Sequence, residues 1–302
     1  MLVGGEPVGP NEGAVVQDTG DTKGELVLVA TPLGNLGDIS RRALEVLERA
    51  DAVYCEDTRH SRTIFSAFNI ALRGRLHALH EHNEASLCDE VVARVGAGET
   101  VAVISDAGTP AISDPGARVV AAVAAAGLRV STVPGPSAVI AALTISGLDT
   151  ERFVMDGFIP RKAGERSTLF DQWAGETRTI VAYESPQRLR VTLDELARRF
   201  NPRRVAVARE LTKLHEEVVR GTLDEVRDHF SRHDVLGEVV VVLEGAARAG
   251  EVDDETVRRA LEQQLASGAS VRDAVAFVVD TFDLPHRGTY ELALRLRSGE
   301  GP

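Results

Sequence analysis

The sequence predicts an α/β protein of two units followed by a small helical appendage. Three observations carry this. Between residues 25 and 135, short apolar runs rich in β-branched residues break into Gly/Pro loops and then into helical patterns, the repeat that builds a parallel sheet. From Phe153 to Leu243 a second series of apolar runs follows, two of them ending directly in charged residues. Residues 251–298 change character and read as three short amphipathic helices. The expected division is an extension at 1–24, α/β units at 25–146 and 147–246, and the appendage at 251–298.

The totals narrow the class. A chain of 302 residues with 43% hydrophobic and 26% charged content has the composition of a soluble globular protein. No apolar run approaches the roughly 20 residues of a membrane helix. The first residues carry no basic stretch ahead of an apolar one, and two cysteines, Cys55 and Cys88, cannot make a disulfide framework, so the expected location is the cytoplasm. The net charge of −12 argues against a protein that merely coats nucleic acid. Charge is unevenly spread: residues 151–220 hold 14 Lys and Arg against 11 Asp and Glu, while the rest hold 20 against 35. A polyanion would therefore meet the middle of the chain, unless the imbalance is only the scatter of a solvated surface.

Taken in order, residues 1–24 hold six Gly and little apolar periodicity and read as disordered. Glu25–Ala30 is a buried strand that runs into the loop Thr31–Asp38, and Ile39–Ala50 has helical spacing with Asp38 or Ser40 as cap. Ala52–Cys55 is the next strand. It ends in Glu56-Asp57-Thr58-Arg59-His60-Ser61-Arg62, either a capped helix start or a functional cluster. His77, His80 and His82 follow; their spacing fits no HExxH pattern and no metal is expected, so they read as the polar rim of a pocket. Leu87–Val95 reads as a helix. Val101–Ile104 is a strand buried on both faces, leading into Ser105–Gly116 with two Gly, two Pro and two Asp, and then into the helix Ala117–Ala126. Such a loop is either a plain connector or a ligand loop at the carboxyl end of a sheet; it has neither GxGxxG nor GxxxxGK[ST] spacing. Leu128–Val133 is a further strand, Pro134–Ala138 a turn, and Val139–Ile145 a helix with Ser137 as cap.

Gly147–Thr150 reads as a hinge. Beyond it, Phe153–Phe158, Thr179–Tyr183, Val205–Ala208, Glu216–Gly221 (as an edge) and Glu238–Leu243 read as strands. The basic loop with Arg161 and Lys162 is the phosphate-contact candidate, against the alternative of a solvated loop. Tyr183 leads into Glu184-Ser185-Pro186-Gln187-Arg188, and Ala208 into Arg209-Glu210-Leu211-Thr212-Lys213. With the Glu56 cluster, three charged groups follow apolar strands, which suggests one shared cleft. The appendage helices are Asp254–Ala266, Ser270–Phe282, opened by a Ser270/Asp273 capping box, and Pro285–Arg297; they fit a packing or dimerisation element or a helix-turn-helix unit.

The segments Thr31–Asp38, Glu56–Arg59, His82–Glu84, Ser105–Pro110, Pro134–Ala138, Tyr183–Pro186 and Arg209–Lys213 occur in this order. As a set they closely resemble the ribosomal RNA small-subunit methyltransferase I family, within the tetrapyrrole methylase superfamily, over about residues 25–298. The resemblance implies a two-domain tetrapyrrole-methylase-like fold with S-adenosylmethionine in the cleft between the domains, and a homodimer. It implies 2′-O-methylation of a cytidine in the decoding region of small-subunit rRNA, free or in the assembled small subunit, with no membrane partner. Carried over by position, the methyl donor would touch Leu33, Asp106, Thr109, Ser137, Ala138, Tyr183, Ala208 and Gly237. Where tetrapyrrole-methylating relatives carry GxGPGD, this chain has Pro32-Leu33-Gly34-Asn35-Leu36-Gly37-Asp38, which favours RNA. A ribose hydroxyl needs a proton acceptor. Asp57, Glu184 and Glu210 are the acids placed for that role, with Lys213 beside them in the catalytic set. Arg59, Arg188 and Lys213 would hold flanking phosphates, and His82 and Asn83 would orient the nucleotide. The alternatives are a methylase of a tetrapyrrole or another small molecule, and a non-catalytic RNA-binding protein that senses the donor.

Overall fold

A computed structural model describes residues 24–72, 74–233, 235–247, 254–282 and 284–298. The extension read at 1–24 lies outside these residues but for Gly24. The first unit is a five-stranded, wholly parallel sheet in the order β3-β2-β4-β1-β5, from β1 (Glu25–Val29), β2 (Ala52–Cys55), β3 (Leu76–Ala78), β4 (Thr100–Ile104) and β5 (Arg129–Val133). Its strands are apolar runs without alternation because helices cover both faces. On one face lie α1 (Arg41–Arg49) and α2 (Thr58–Ala67), which bury Val46, Leu47, Ile64 and Phe65. On the other lie α3 (Glu84–Gly96) and α4 (Ala117–Ala125), with Val91, Val95, Val119 and Val123.

This order sets the position of the site. β4 lies between β1 and β2, whose chains pass to the helices of one face, while β4 itself leads to α4 on the other. A crevice therefore opens on each side of β4 at its carboxyl end, where open α/β sheets hold ligands.

The second sheet, β6-β7-β10-β8-β9, is mixed. β6 (Phe153–Phe158) is parallel to β7 (Thr179–Glu184), and β10 (Val239–Leu243) runs antiparallel to both β7 and β8 (Arg204–Arg209). β9 (Glu217–Thr222) is the edge, as its polar sequence suggests. One face is covered by α6 (Ala163–Ala174), α7 (Leu189–Phe200) and α8 (Leu223–Arg232), around Phe170, Trp173, Leu193 and Phe230. The other is covered by α5 (Ala138–Ser146) through Val139, Ala142 and Leu143. The sequence groups α5 with residues 25–146; its buried side chains pack instead on the second sheet, so the first unit's last helix belongs to the second unit's core. The appendage, α9 (Asp254–Ala266), α10 (Val271–Phe282) and α11 (His286–Ser298), has its own apolar cluster around Leu261, Val275 and Val278. Half of the predicted Ser270/Asp273 box forms: Asp273 N–H donates to Ser270 Oγ at 3.2 Å, while the Asp273 carboxylate accepts from the Ser270 hydroxyl at 2.6 Å and not from its backbone N–H.

Glu176 fastens the turn between α6 and β7. Its carboxylate accepts from the Arg178 guanidinium at 2.8 and 2.7 Å and from the Arg178 N–H at 2.9 Å, which hold its pKa down at about 2. A carboxyl depressed on folding stabilises the native state above its unfolded pKa, and that contribution fades as pH falls through the folded value. Because this pair is solvated, the contribution is about 1 kcal/mol. Urea unfolding of Glu176→Gln is expected to show a deficit of that size at pH 7, shrinking steadily from pH 4.5 towards pH 2.

Candidate active site

The loops at the carboxyl ends of β1, β2 and β4 are tied together. Thr31, buried after β1, donates its hydroxyl to the Ser105 carbonyl at 2.9 Å, and its backbone bridges Gly108. Asp57 N–H, after β2, donates to Asp106 Oδ1 at 3.2 Å. The Ser105–Gly116 loop is held from within: the Ser105 hydroxyl bonds Asp114, Thr109 donates to the Pro136 carbonyl at 3.0 Å, and the buried Glu84 carboxylate accepts from Gly116 and Arg118 N–H at 2.9 and 2.7 Å. Glu84 thereby caps α4, which has no side-chain cap of its own; it is also the first residue of α3, which begins before the Leu87 start read from the sequence. Ala111 and Ser113 adopt φ of 68° and 59°, conformations that non-glycine residues hold only where the surroundings fix them.

The second unit completes a cleft. Tyr183 and Ala208 both pair with Val240, so they stand in one row across β7, β10 and β8, on the face covered by α5. The N-terminus of α5 carries Ser137 and Ala138, and the Ser137 side chain makes no cap hydrogen bond. Phe158 lies against Tyr183 with ring centroids 5.1 Å apart. Glu210 hooks the turn before β10: its Oε1 accepts from Glu238 N–H at 3.2 Å and from Lys213 Nζ at 2.9 Å. Gly237, at φ 84°, leaves the space that the Glu210 carboxyl fills. The Lys213 stem crosses to the first unit, where a Cβ on Gly34 would lie 2.5 Å from Lys213 Cγ.

Charges of both units meet here. Burial, Asp106 and Glu238 push the Asp114 carboxyl up, against the Ser105 hydrogen bond. Burial, Asp114 and Glu238 push the Tyr183 phenol up. Burial of its carboxyl, then Asp114 and Asp106, raise Glu56, against the pull of His80. The Lys213 hydrogen bond holds Glu210 below its ordinary range, and although burial opposes the Lys213 charge, Glu210 and Glu238 outweigh it and raise that ammonium's pKa.

The donor set carried over from the resemblance is thus brought to one cleft. Leu33 is buried beneath Gly108, whose Cβ would lie 3.1 Å from Leu33 Cδ2; Asp106 and Thr109 lie in the β4 loop, and Ser137, Ala138, Tyr183, Ala208 and Gly237 face them. The cleft suits S-adenosylmethionine. Uncapped N–H groups at α5 suit its carboxylate and the acids suit its cationic centres, while Gly135 lets its turn pack on the end of β1, where a Cβ would lie only 3.0 Å from Ala30 Cβ.

The catalytic and RNA sets divide. Glu184 is 2% exposed and its oxygens are taken by Ser185 N–H at 2.6 Å, Thr192 hydroxyl at 2.6 Å and Arg188 at 2.5 Å. Arg188 also donates to Ser185 Oγ and the Ile159 carbonyl, both at 2.9 Å. Neither residue is free for the proton-acceptor and phosphate roles read from the sequence; they lock the start of α7. Asn83 likewise holds its own turn, accepting from His80 N–H at 2.8 Å and donating to the Ala78 carbonyl at 2.9 Å, rather than facing a nucleotide. Glu210 and Lys213 form a clamp, and Asp57 caps α2 by accepting from Arg59 N–H at 2.7 Å. Arg59, His82, Arg161 and Lys162 are exposed, Lys162 paired with Glu165 at 2.8 Å. Sequence reasoning passed over Glu56, Glu84, Asp114 and Glu238. Of these, Glu56 stood in the cluster singled out after β2, while Asp114 lies deep in the loop after β4 and gave no signal of its own. Among the described residues no group of three His, Cys, Asp or Glu is arranged to hold a metal, and no helix is long and apolar enough to cross a membrane.

The family profile described as Tetrapyrrole (Corrin/Porphyrin) Methylases matches residues 25–227. The chain belongs to the tetrapyrrole methylase family. Within it, the chain is 41% identical over 278 residues to the ribosomal RNA small subunit methyltransferase I of Synechocystis sp., covering 91% of this chain and 99% of that protein. It is 42% identical over 282 residues to the protein of the same name from Mycobacterium tuberculosis, covering 93% and 98%. These matches also make it a member of the small subunit methyltransferase I group of tetrapyrrole methylases. Solved structures agree on the fold: diphthine synthase aligns at TM-score 0.57 and 14% identity over 74% of this chain and 90% of that one, and the methyltransferase CobJ at 0.54 and 19% over 75% and 97%. Their alignments leave about a quarter of this chain uncovered.

Proposed function

We propose that this chain transfers a methyl group from S-adenosylmethionine to the ribose 2′-hydroxyl of a cytidine in the decoding region of small-subunit rRNA, acting as a homodimer in the cytoplasm. The observation that carries the reading is the cleft between the two sheets, in which the Thr31–Asp38, Ser105–Gly116, Pro134–Ala138 and Arg209–Lys213 segments converge. The near full-length identity to proteins named for small-subunit rRNA supplies the acceptor.

S-adenosylmethionine supplies an electrophilic methyl on a sulfonium. The residues of the chain position it: the α5 N–H groups and Ser137 take the carboxylate end, and the Asp106, Asp114 and Glu238 field favours the cation. Positioning of donor and hydroxyl in line provides most of the rate. Exposed Arg59, in the first turn of α2, and Arg161, in the loop after β6, meet backbone phosphates.

Tritiated S-adenosylmethionine offered with naked rRNA, with small subunits lacking the modification, and with a uroporphyrin-type tetrapyrrole tests this. Label is expected in RNA, in a dinucleotide that resists alkali because its 2′-oxygen is blocked. Label in the tetrapyrrole, label on a base, or binding without transfer would each overturn the reading.

A further inference from the structure

We propose that Glu56 is the general base that takes the ribose proton, and that His80 is the positioning residue beside it. The assignment rests on the methyl-transfer reading above. Four carboxylates stand around the crevice between β2 and β4. Asp57 accepts from Arg59 N–H, Asp106 accepts from Asp57 N–H, and Asp114 accepts from the Ser105 hydroxyl. Glu56 accepts no hydrogen bond among the described residues. It follows directly on Cys55, the last buried residue of β2, and is itself exposed at the crevice mouth. A free carboxylate at the end of a rigid strand, one residue from the segment that bonds Asp106, is placed to meet a substrate hydroxyl rather than to hold the fold.

His80 supplies the second observation. It lies in the loop after β3, the strand next to β2, and its Nδ1 is buried with no hydrogen-bond partner among the described residues. Buried polar atoms are nearly always paired in native proteins, so an orphan beside a free carboxylate marks a place where a group is received or a proton passes. The groups that face the Glu56 carboxyl are Asp57 on its own segment, Asp114 and Asp106 from the loop after β4, and His80 from the loop after β3. Burial and the three acids push the Glu56 carboxyl up and His80 pulls it down, which makes Glu56 a stronger base than an ordinary carboxylate.

In the step, the proton of the 2′-hydroxyl passes to Glu56 as the oxygen lone pair forms the new O–CH3 bond and the C–S bond breaks, its electron pair staying on sulfur. The proton on Glu56 then leaves to water.

Glu56→Gln in the full chain, assayed on small subunits, is expected to lower kcat by about 100-fold or more with the Kd for S-adenosylmethionine changed less than about twofold, and Glu56→Asp to recover part of the rate. His80→Gln removes the group that pulls the Glu56 pKa down, so the acid limb of the kcat–pH profile moves to higher pH. A Glu56→Gln protein with kcat within about threefold of wild type overturns the assignment alone. A loss of donor affinity as large as the loss of rate, or an unmoved pH profile in His80→Gln, also overturns it. A wild-type protein that labels no ribose overturns both this and the reading beneath it.

Discussion

Alanine at Gly237 is expected to weaken S-adenosylmethionine binding by about 100-fold. Two costs add. The residue sits at φ 84°, which costs a side chain about 1–2 kcal/mol. Its Cβ would also fall on the Glu210 carboxyl, which holds Glu238 N–H at 3.2 Å and Lys213 Nζ at 2.9 Å. Hydrogen bonds to a charged group contribute about 1.5–3 kcal/mol each, and the carboxyl cannot move aside and keep both. The sum, about 3–5 kcal/mol, falls on the turn that closes the proposed donor cleft, and about 3 kcal/mol of it expressed in binding gives the hundredfold. Calorimetric titration of the donor measures it. The cycle with Glu210→Ala separates the two costs: in that background only the backbone strain is left, and Gly237→Ala is expected to cost no more than about 2 kcal/mol. Equal penalties in both backgrounds would refute the clash.

Replacing Glu184 by alanine is expected to lower global stability by about 3 kcal/mol, the larger effect on folding. The Glu184 side chain is fully buried, while its partner Arg188 keeps 24% exposure. Removing one member of a buried pair leaves the other uncompensated, at a cost of 3–5 kcal/mol, and the partial exposure of Arg188 places this case at about the lower end. The Ser185 N–H and Thr192 hydroxyl lose their acceptor as well. The measurement is the urea midpoint at constant slope. Per folded molecule, donor affinity is expected to stay within about threefold of wild type. A specific loss of turnover with unchanged stability would return Glu184 to the chemistry for which the sequence nominated it.

The central strands β2 and β4 were legible because they are continuous apolar runs, the composition of a strand buried on both faces, whereas the short edge strand β3, Leu-His-Ala, was read only as part of a polar rim. The charged clusters after β2, β7 and β8 do mark one end of the molecule, as the sequence suggests. What each charge does there was not legible. Glu184 and Arg188 read as acid and phosphate ligand, yet their spacing of four at the start of a helix is also that of an ion pair, and burial decides for the pair. Glu56 and Asp57 are neighbours of one type; only the folded cap shows that Asp57 is occupied and Glu56 is not. A helix start at α2 was one of two readings of the Glu56 cluster, whereas α6 opens inside the stretch taken as a basic loop, α7 directly after the charges taken for site residues, and α8 went unread. The allegiance of α5 was hidden for the opposite reason: it is apolar on every side, so no stripe points to the sheet it covers.

One strand, β4, is flanked by two crevices, and its loop is pinned to both neighbours by the Thr31 hydroxyl and the Asp57 amide. The loops that follow β1, β2 and β4 are thereby tied into one unit, so a substitution that loosens any one of them shifts the other two.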